Sequence, residues 1–115
     1  MQYLLMIHES EANQAKMSDE QVNALLAEYG AFTDNVQKSG KFVGANRLRP
    51  STTATTVRVR NGKVQTTDGP FAETREQLGG YYLVEAKDLD DAVAVAAQIP
   101  SARLGSIEVR PIWSM

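Results

Sequence analysis

Tyr3-Leu4-Leu5-Met6-Ile7 is an unbroken run of large apolar residues close to the start of the chain. Successive side chains of a strand point to opposite sides of its sheet, so a strand with this run needs cover on both faces. The chain has 115 residues, the size of one domain over residues 1–115, with no room for two independent cores. One layer of helices can cover one sheet face. The second face must find its cover elsewhere, and a symmetric homodimer that stacks two sheets supplies it.

The remaining elements follow from local signals. Ser18-Asp19-Glu20-Gln21 matches a capping box, and Val22, Leu25, Leu26, Tyr29, Phe32 and Val36 then recur at spacings of three and four, predicting a helix that stops at Gly40. Lys41 to Leu48 reads as a strand, weakened by Gly44 and Asn46 and ended by Pro50. Thr55 to Arg60 and Lys63 to Thr67 flank Asn61-Gly62, the type I′ hairpin signal. That turn sets Arg60 opposite Lys63, Val59 opposite Val64 and Val57 opposite Thr66. After a polar loop, Gly79-Gly80 precedes a strand over Tyr81 to Ala86. Asp88 caps a second helix with a Leu89, Ala92, Val93, Ala96, Ile99 stripe closed by Pro100, and a last strand runs from about Ser106 to Trp113. The predicted fold class is α+β: a ferredoxin-like βαββαβ antiparallel sheet with an inserted β-hairpin, the helices on one face, and side chains such as Leu4, Met6 and Tyr82 or their alternates on the other.

Charge and composition remove several functions. Lys plus Arg number 12 against 14 Asp plus Glu, a net charge of −2, with the signs interspersed. This is no surface for a phosphate backbone, so no nucleic-acid partner is expected. No cysteine is present, which excludes disulfides, thiolate nucleophiles and cysteine-ligated metals, and one histidine excludes a multi-histidine zinc site within a chain. The N-terminus lacks a basic start and a long apolar run, and no stretch approaches a bilayer span. A cytoplasmic protein with no membrane partner is the expectation.

Two residues carry the catalytic reading. His8 lies at the end of the first strand, where an imidazole either gives and takes a proton or merely caps the sheet edge. Asp68 opens the Gly69-Pro70 turn, where it either bonds to turn amides or orients His8. Arg47 and Arg75 offer guanidinium forks for an anion, although Glu73 and Glu76 flank Arg75 and invite local pairing. Phe71, Tyr81, Tyr82 and Trp113 either line an apolar pocket or pack in core and interface. Glu9 and Glu11 beside His8 give no defined metal-ligand set, so no metal is expected.

Thr67-Asp68-Gly69-Pro70-Phe71 and the continuation Ala72-Glu73-Thr74-Arg75-Glu76-Gln77-Leu78-Gly79-Gly80-Tyr81-Tyr82-Leu83-Val84-Glu85-Ala86 resemble the DGPF branch of the YCII-related proteins. The Tyr-Leu-Leu-Met-Ile start and Asp88-Leu89-Asp90-Asp91-Ala92 extend the resemblance over essentially the whole chain. It implies a small bacterial dimeric α+β barrel protein without a bound cofactor. Some members of the branch are encoded beside extracytoplasmic-function sigma factors. Relatives in the wider superfamily are lyase or dehalogenating enzymes that act on small lactones or acids with a histidine and an aspartate. Asp68 matches the motif. The relatives' histidine near the start of the first helix has no counterpart in Ser18-Asp19-Glu20-Gln21-Val22, and His8 would have to replace it from another element. The expected site is therefore His8 and Asp68 for proton transfer, with Arg47, Gly69, Pro70, Phe71, Arg75 and Tyr82 around a small anionic or lactone substrate. A ligand-binding or regulatory module is the alternative.

Overall fold

A computed structural model of the chain describes residues 1–114. It begins with β1 (Gln2–Glu9), whose side chains alternate between half-buried and buried. Tyr3, Leu5 and Ile7 enter the core while Leu4 and Met6 take the opposite face. A short helix α1 (Glu11–Gln14) follows, with the Ser10 hydroxyl accepting from the Asn13 amide at 3.1 Å. Then comes α2 (Asp19–Lys38), opened by the expected reciprocal box: Gln21 N–H donates to the Ser18 hydroxyl and Ser18 N–H to the Gln21 side chain. Gly40 takes φ +78 beyond its end, as a left-handed stop requires.

The chain continues with β2 (Phe42–Arg47), β3 (Thr55–Arg60), β4 (Lys63–Asp68), β5 (Gln77–Glu85), α3 (Leu89–Ala97) and β6 (Ser106–Pro111). One sheet has the order β2-β5-β1-β6 with every neighbour antiparallel, the arrangement of a ferredoxin-like βαββαβ unit. β3 and β4 form a separate two-stranded sheet, the inserted hairpin. Its turn residues Asn61 and Gly62 have φ of 53° and 74°, and the pairs Arg60 with Lys63, Val59 with Val64 and Val57 with Thr66 are all formed.

The core lies between the four-stranded sheet and the two long helices. Phe32 and Val36 of α2, Ala92, Val95 and Ala96 of α3, and Ile99 pack on Tyr3, Leu5, Ile7, Tyr82 and Val84. Phe32 meets Tyr82 edge-on, with ring centroids 5.0 Å apart. Leu5, Val84 and Ile99 are almost fully buried, each contributing about 1.5–3 kcal/mol of transfer free energy. On the other sheet face Leu4 lies opposite Leu83 and Met6 opposite Tyr81, all half-buried, and among the described residues no helix or strand is layered over them. Tyr82 belongs to the helix-facing register with Leu5, so Tyr81 is the alternate that takes the outer face.

Several boundaries differ from the sequence reading. β5 starts at Gln77 rather than Tyr81, because Gly79 and Gly80 lie inside the strand. A Cβ on Gly80 would sit 2.8 Å from the Asn46 carbonyl oxygen, so glycine permits β2 to come this close. The register skips Gly79 at a bulge between Ile7 and His8. On α3, Val95 is buried while Leu89 and Val93 are exposed; both stripes satisfy helical spacing, and tertiary packing selects one. β6 stops at Pro111, leaving Trp113 89% exposed. Among the described residues no helix is long and apolar enough to cross a membrane.

Candidate functional site

The apolar stripe of α2 does two jobs. Its C-terminal half, Phe32 and Val36, seals the core, while its N-terminal half, Val22, Leu25, Leu26 and Tyr29, lines a cavity of about 470 Å³ against the sheet. Ile7, Ala45 and Gly80 form part of the sheet wall, and Met17 with the Leu48-Arg49-Pro50 segment lies at the side. This volume is within the range of small-molecule sites, roughly 300–1,000 Å³. The walls are mainly apolar, so the few polar groups that face inward decide the chemistry.

Glu9 is the most informative of these. It continues the inward register of Tyr3, Leu5 and Ile7 and is 8% exposed, with its carboxylate accepting from the Gln14 side-chain amide. Glu11 also reaches the cavity, but its two oxygens accept from the Ser51 amide, at 2.7 Å, and from the Ser51 hydroxyl. That contact ties β1 and α1 to the segment after β2. Tyr29 donates its phenol proton to Ser101 Oγ at 2.6 Å. Burial pushes this phenol up to about 12, with the bond to Ser101 opposing and the negative charge of Glu9 reinforcing the shift. The Tyr82 hydroxyl lies 2.7 Å from Thr33 Oγ1, which itself donates to the Tyr29 carbonyl oxygen, so Tyr82 is the donor in that pair. Arg47 and Arg49 are exposed and border the same cavity, and among the described residues neither forms an ion pair. The arrangement places a carboxylate inside and guanidinium groups at the opening.

Of the residues expected from sequence, Arg47 and Tyr82 lie in this cavity. His8 does not: it alternates with Ile7 and Glu9 and takes the opposite sheet face, across from Leu78 and Ser106. Its Nε2 is buried with no hydrogen-bond partner. Because His8 and Glu9 leave β1 on opposite sides, His8, Glu9 and Glu11 do not converge. Asp68 ends β4 opposite Thr55, in the other sheet, and is exposed. Among the described residues its carboxylate accepts neither a turn amide nor His8. The turn is held instead by Gly69, at φ +100, whose N–H donates to the Ala54 carbonyl at 2.7 Å and whose carbonyl accepts from Thr56 Oγ1 at 2.9 Å. Phe71 is 80% exposed beyond Pro70. Arg75 borders a shallow groove beside α1 with Ser10, Asn13 and Thr74, and Glu76 accepts from Ser106 Oγ at 2.8 Å rather than pairing with it.

Glu9, Tyr29 and Arg49 are cavity groups that the sequence reading passed over as site residues. Glu9 and Tyr29 had a signal. An acid in the inward register of an apolar strand, and a tyrosine on the core stripe of a helix, each require a reason for burying a polar group.

The YCII-related domain model matches residues 1–115. An uncharacterized protein of Rhizobium meliloti (strain 1021) is 35% identical over 114 residues, 97% of this chain and 92% of that protein.

Proposed function

The chain belongs to the YCII-related family over its whole length, and from that premise we propose that it binds a small, largely apolar organic acid in the cavity between α2 and the sheet. The observation that carries this reading is the split stripe of α2, whose N-terminal half leaves apolar side chains facing about 470 Å³ of open space. A core that needed only stability would have closed there, since empty apolar volume lowers stability. Arg47 and Arg49 at the opening suit the acid end of such a ligand. The protein would work as a soluble homodimer in the cytoplasm, joined through the outer sheet face, with no metal or cofactor needed for binding.

The test is amide chemical-shift mapping with caproate as the probe. Shifts should concentrate at Ile7, Leu25, Tyr29 and Gly80, and Arg47→Gln should weaken binding about fivefold, the usual scale of an exposed charged contact. Shifts confined to the Asp68–Phe71 turn, or to His8, would remove the cavity from the account.

Proton transfer at His8 is a second reading, favoured by its buried and unpartnered Nε2. Within one chain no hydrogen bond joins His8 and Asp68 among the described residues, so this enzyme reading calls on a second copy to bring them together. It expects the His8 ring resonances to move in Asp68→Asn at dimer concentrations; unmoved resonances end it.

A further inference from the structure

Glu9 is a buried carboxylate whose surroundings leave it short of donors. Tyr29 spends its phenol proton on Ser101, and Tyr82 spends its own on Thr33. Glu11 is engaged by Ser51. A carboxylate has room for about four hydrogen bonds. Among the described residues Glu9 receives one side-chain bond, from the neutral Gln14 amide, and no ion pair. It nevertheless is 8% exposed and lines the cavity. Burying a charge is unfavourable unless it is paired and hydrogen-bonded.

We infer that Glu9 is the receptor for a protonated nitrogen, so that the ligand of this cavity is a zwitterion: an ammonium group at Glu9, an apolar body along Val22, Leu25 and Ile7, and an acid group at Arg47 and Arg49. The inference rests on the cavity being the binding site and adds the chemical class of what occupies it. Both ends of the charge pattern are needed. A plain acid would meet repulsion from Glu9 as it entered, and a plain amine would be repelled at the opening by the two guanidinium groups. Only a molecule with both charges separated by an apolar chain satisfies each group in place, and the ammonium brings the multiple charge-assisted donors that Glu9 lacks.

Caproate and ε-aminocaproate differ only in the terminal nitrogen, so their affinities for the wild-type protein test this without any substitution. By amide chemical-shift titration ε-aminocaproate should bind at least about tenfold more tightly, the scale of a charge-assisted contact in a shielded site. Glu9→Gln keeps the side-chain shape and should erase that preference while strengthening caproate binding, because the repelling charge is gone. Glu9→Asp keeps the charge on a shorter arm and should retain part of the preference. Equal binding of the two probes, or a preference that survives Glu9→Gln, overturns the assignment of Glu9 and leaves the cavity reading standing. Absence of shifts at cavity residues with either probe overturns both.

Discussion

Two glycines of opposite environment give a direct test of packing at single residues. A Cβ on Gly105 would lie 2.2 Å from the His8 carbonyl oxygen, with backbone rather than a flexible side chain in the way. Gly105→Ala must therefore push the start of β6 away from β1, and it should lower stability by about 1–3 kcal/mol, read as a fall in the urea midpoint. Gly30 lies within α2 with nothing inside 4 Å of its would-be Cβ. Gly30→Ala should raise stability by about 0.5–1 kcal/mol, read as a rise in the midpoint, since alanine has less backbone entropy to lose in a helix. If both substitutions act alike, the close approach at Gly105 is wrong. Tyr29 adds a pH signature at the same scale. Its pKa of about 12 in the fold exceeds the ordinary 10.0, so above pH 10 the unfolded chain releases a proton that the folded chain retains. Its contribution is complete below pH 10 and is lost as pH rises towards 12. Tyr29→Phe should remove that part of the alkaline fall in urea midpoint, while an unchanged profile would mean that the phenol is solvated.

Elements were legible from sequence wherever a local rule decided them. The Ser18 box, the Asn61-Gly62 turn and the Asp88 cap are bonds between near neighbours, and all are formed. Where contact between distant segments decides, the sequence is silent: Val95 rather than Val93 faces the core, and Gly80 sits inside β5 because Asn46 approaches it. The site was less legible than the fold for the same reason. Arg47 and Tyr82 reach the cavity, but Asp68 is placed by a hairpin that forms its own sheet, and His8 is turned away by the same alternation that turns Glu9 inward. One long-range element contact is testable by charge. Lys41 Nζ lies 2.6 Å from Asp91 Oδ1, and with the Lys87 amide it holds the Asp91 carboxyl below its ordinary 3.8, tying the start of β2 to α3. A depressed carboxyl contributes stability above the unfolded value and loses it as pH falls through the folded one. Below about pH 4 the wild type should therefore lose urea resistance more steeply than Lys41→Met, in which the partner is gone. Parallel acid limbs in the two proteins would show that the pair is solvated and idle.

At the scale of the whole molecule the shape itself is an argument. The chain extends 48 × 44 × 18 Å, and the short dimension is about what one sheet and one helix layer fill at a spacing near 10 Å. Among the described residues there is no third layer. Leu4, Met6, Tyr81 and Leu83 thus form one apolar face, and Val57, Val59 and Val64 on the hairpin are 60%, 58% and 70% exposed. Exposed apolar area on this scale marks an interface in a soluble protein, and a strand with large apolar residues on both faces fits a sheet that stacks on its own copy. The expected species is a homodimer of 12.6 kDa chains. Leu83→Lys would set two unpaired charges into that interface, one from each copy. Removing them from water costs at least about 3 kcal/mol, a loss of more than a hundredfold in dimer affinity. Sedimentation over a dilution series should give twice the chain mass for the wild type at concentrations where the variant already has a single mass, the variant's dissociation midpoint lying more than a hundredfold higher. Because Leu83 lies on the face opposite the cavity, the monomeric variant should still bind ε-aminocaproate, so assembly at one sheet face is tested apart from binding at the other. A wild type that sediments as a monomer would refute the stacked sheets, and a variant that loses the ligand together with the dimer would mean that the second copy completes the cavity.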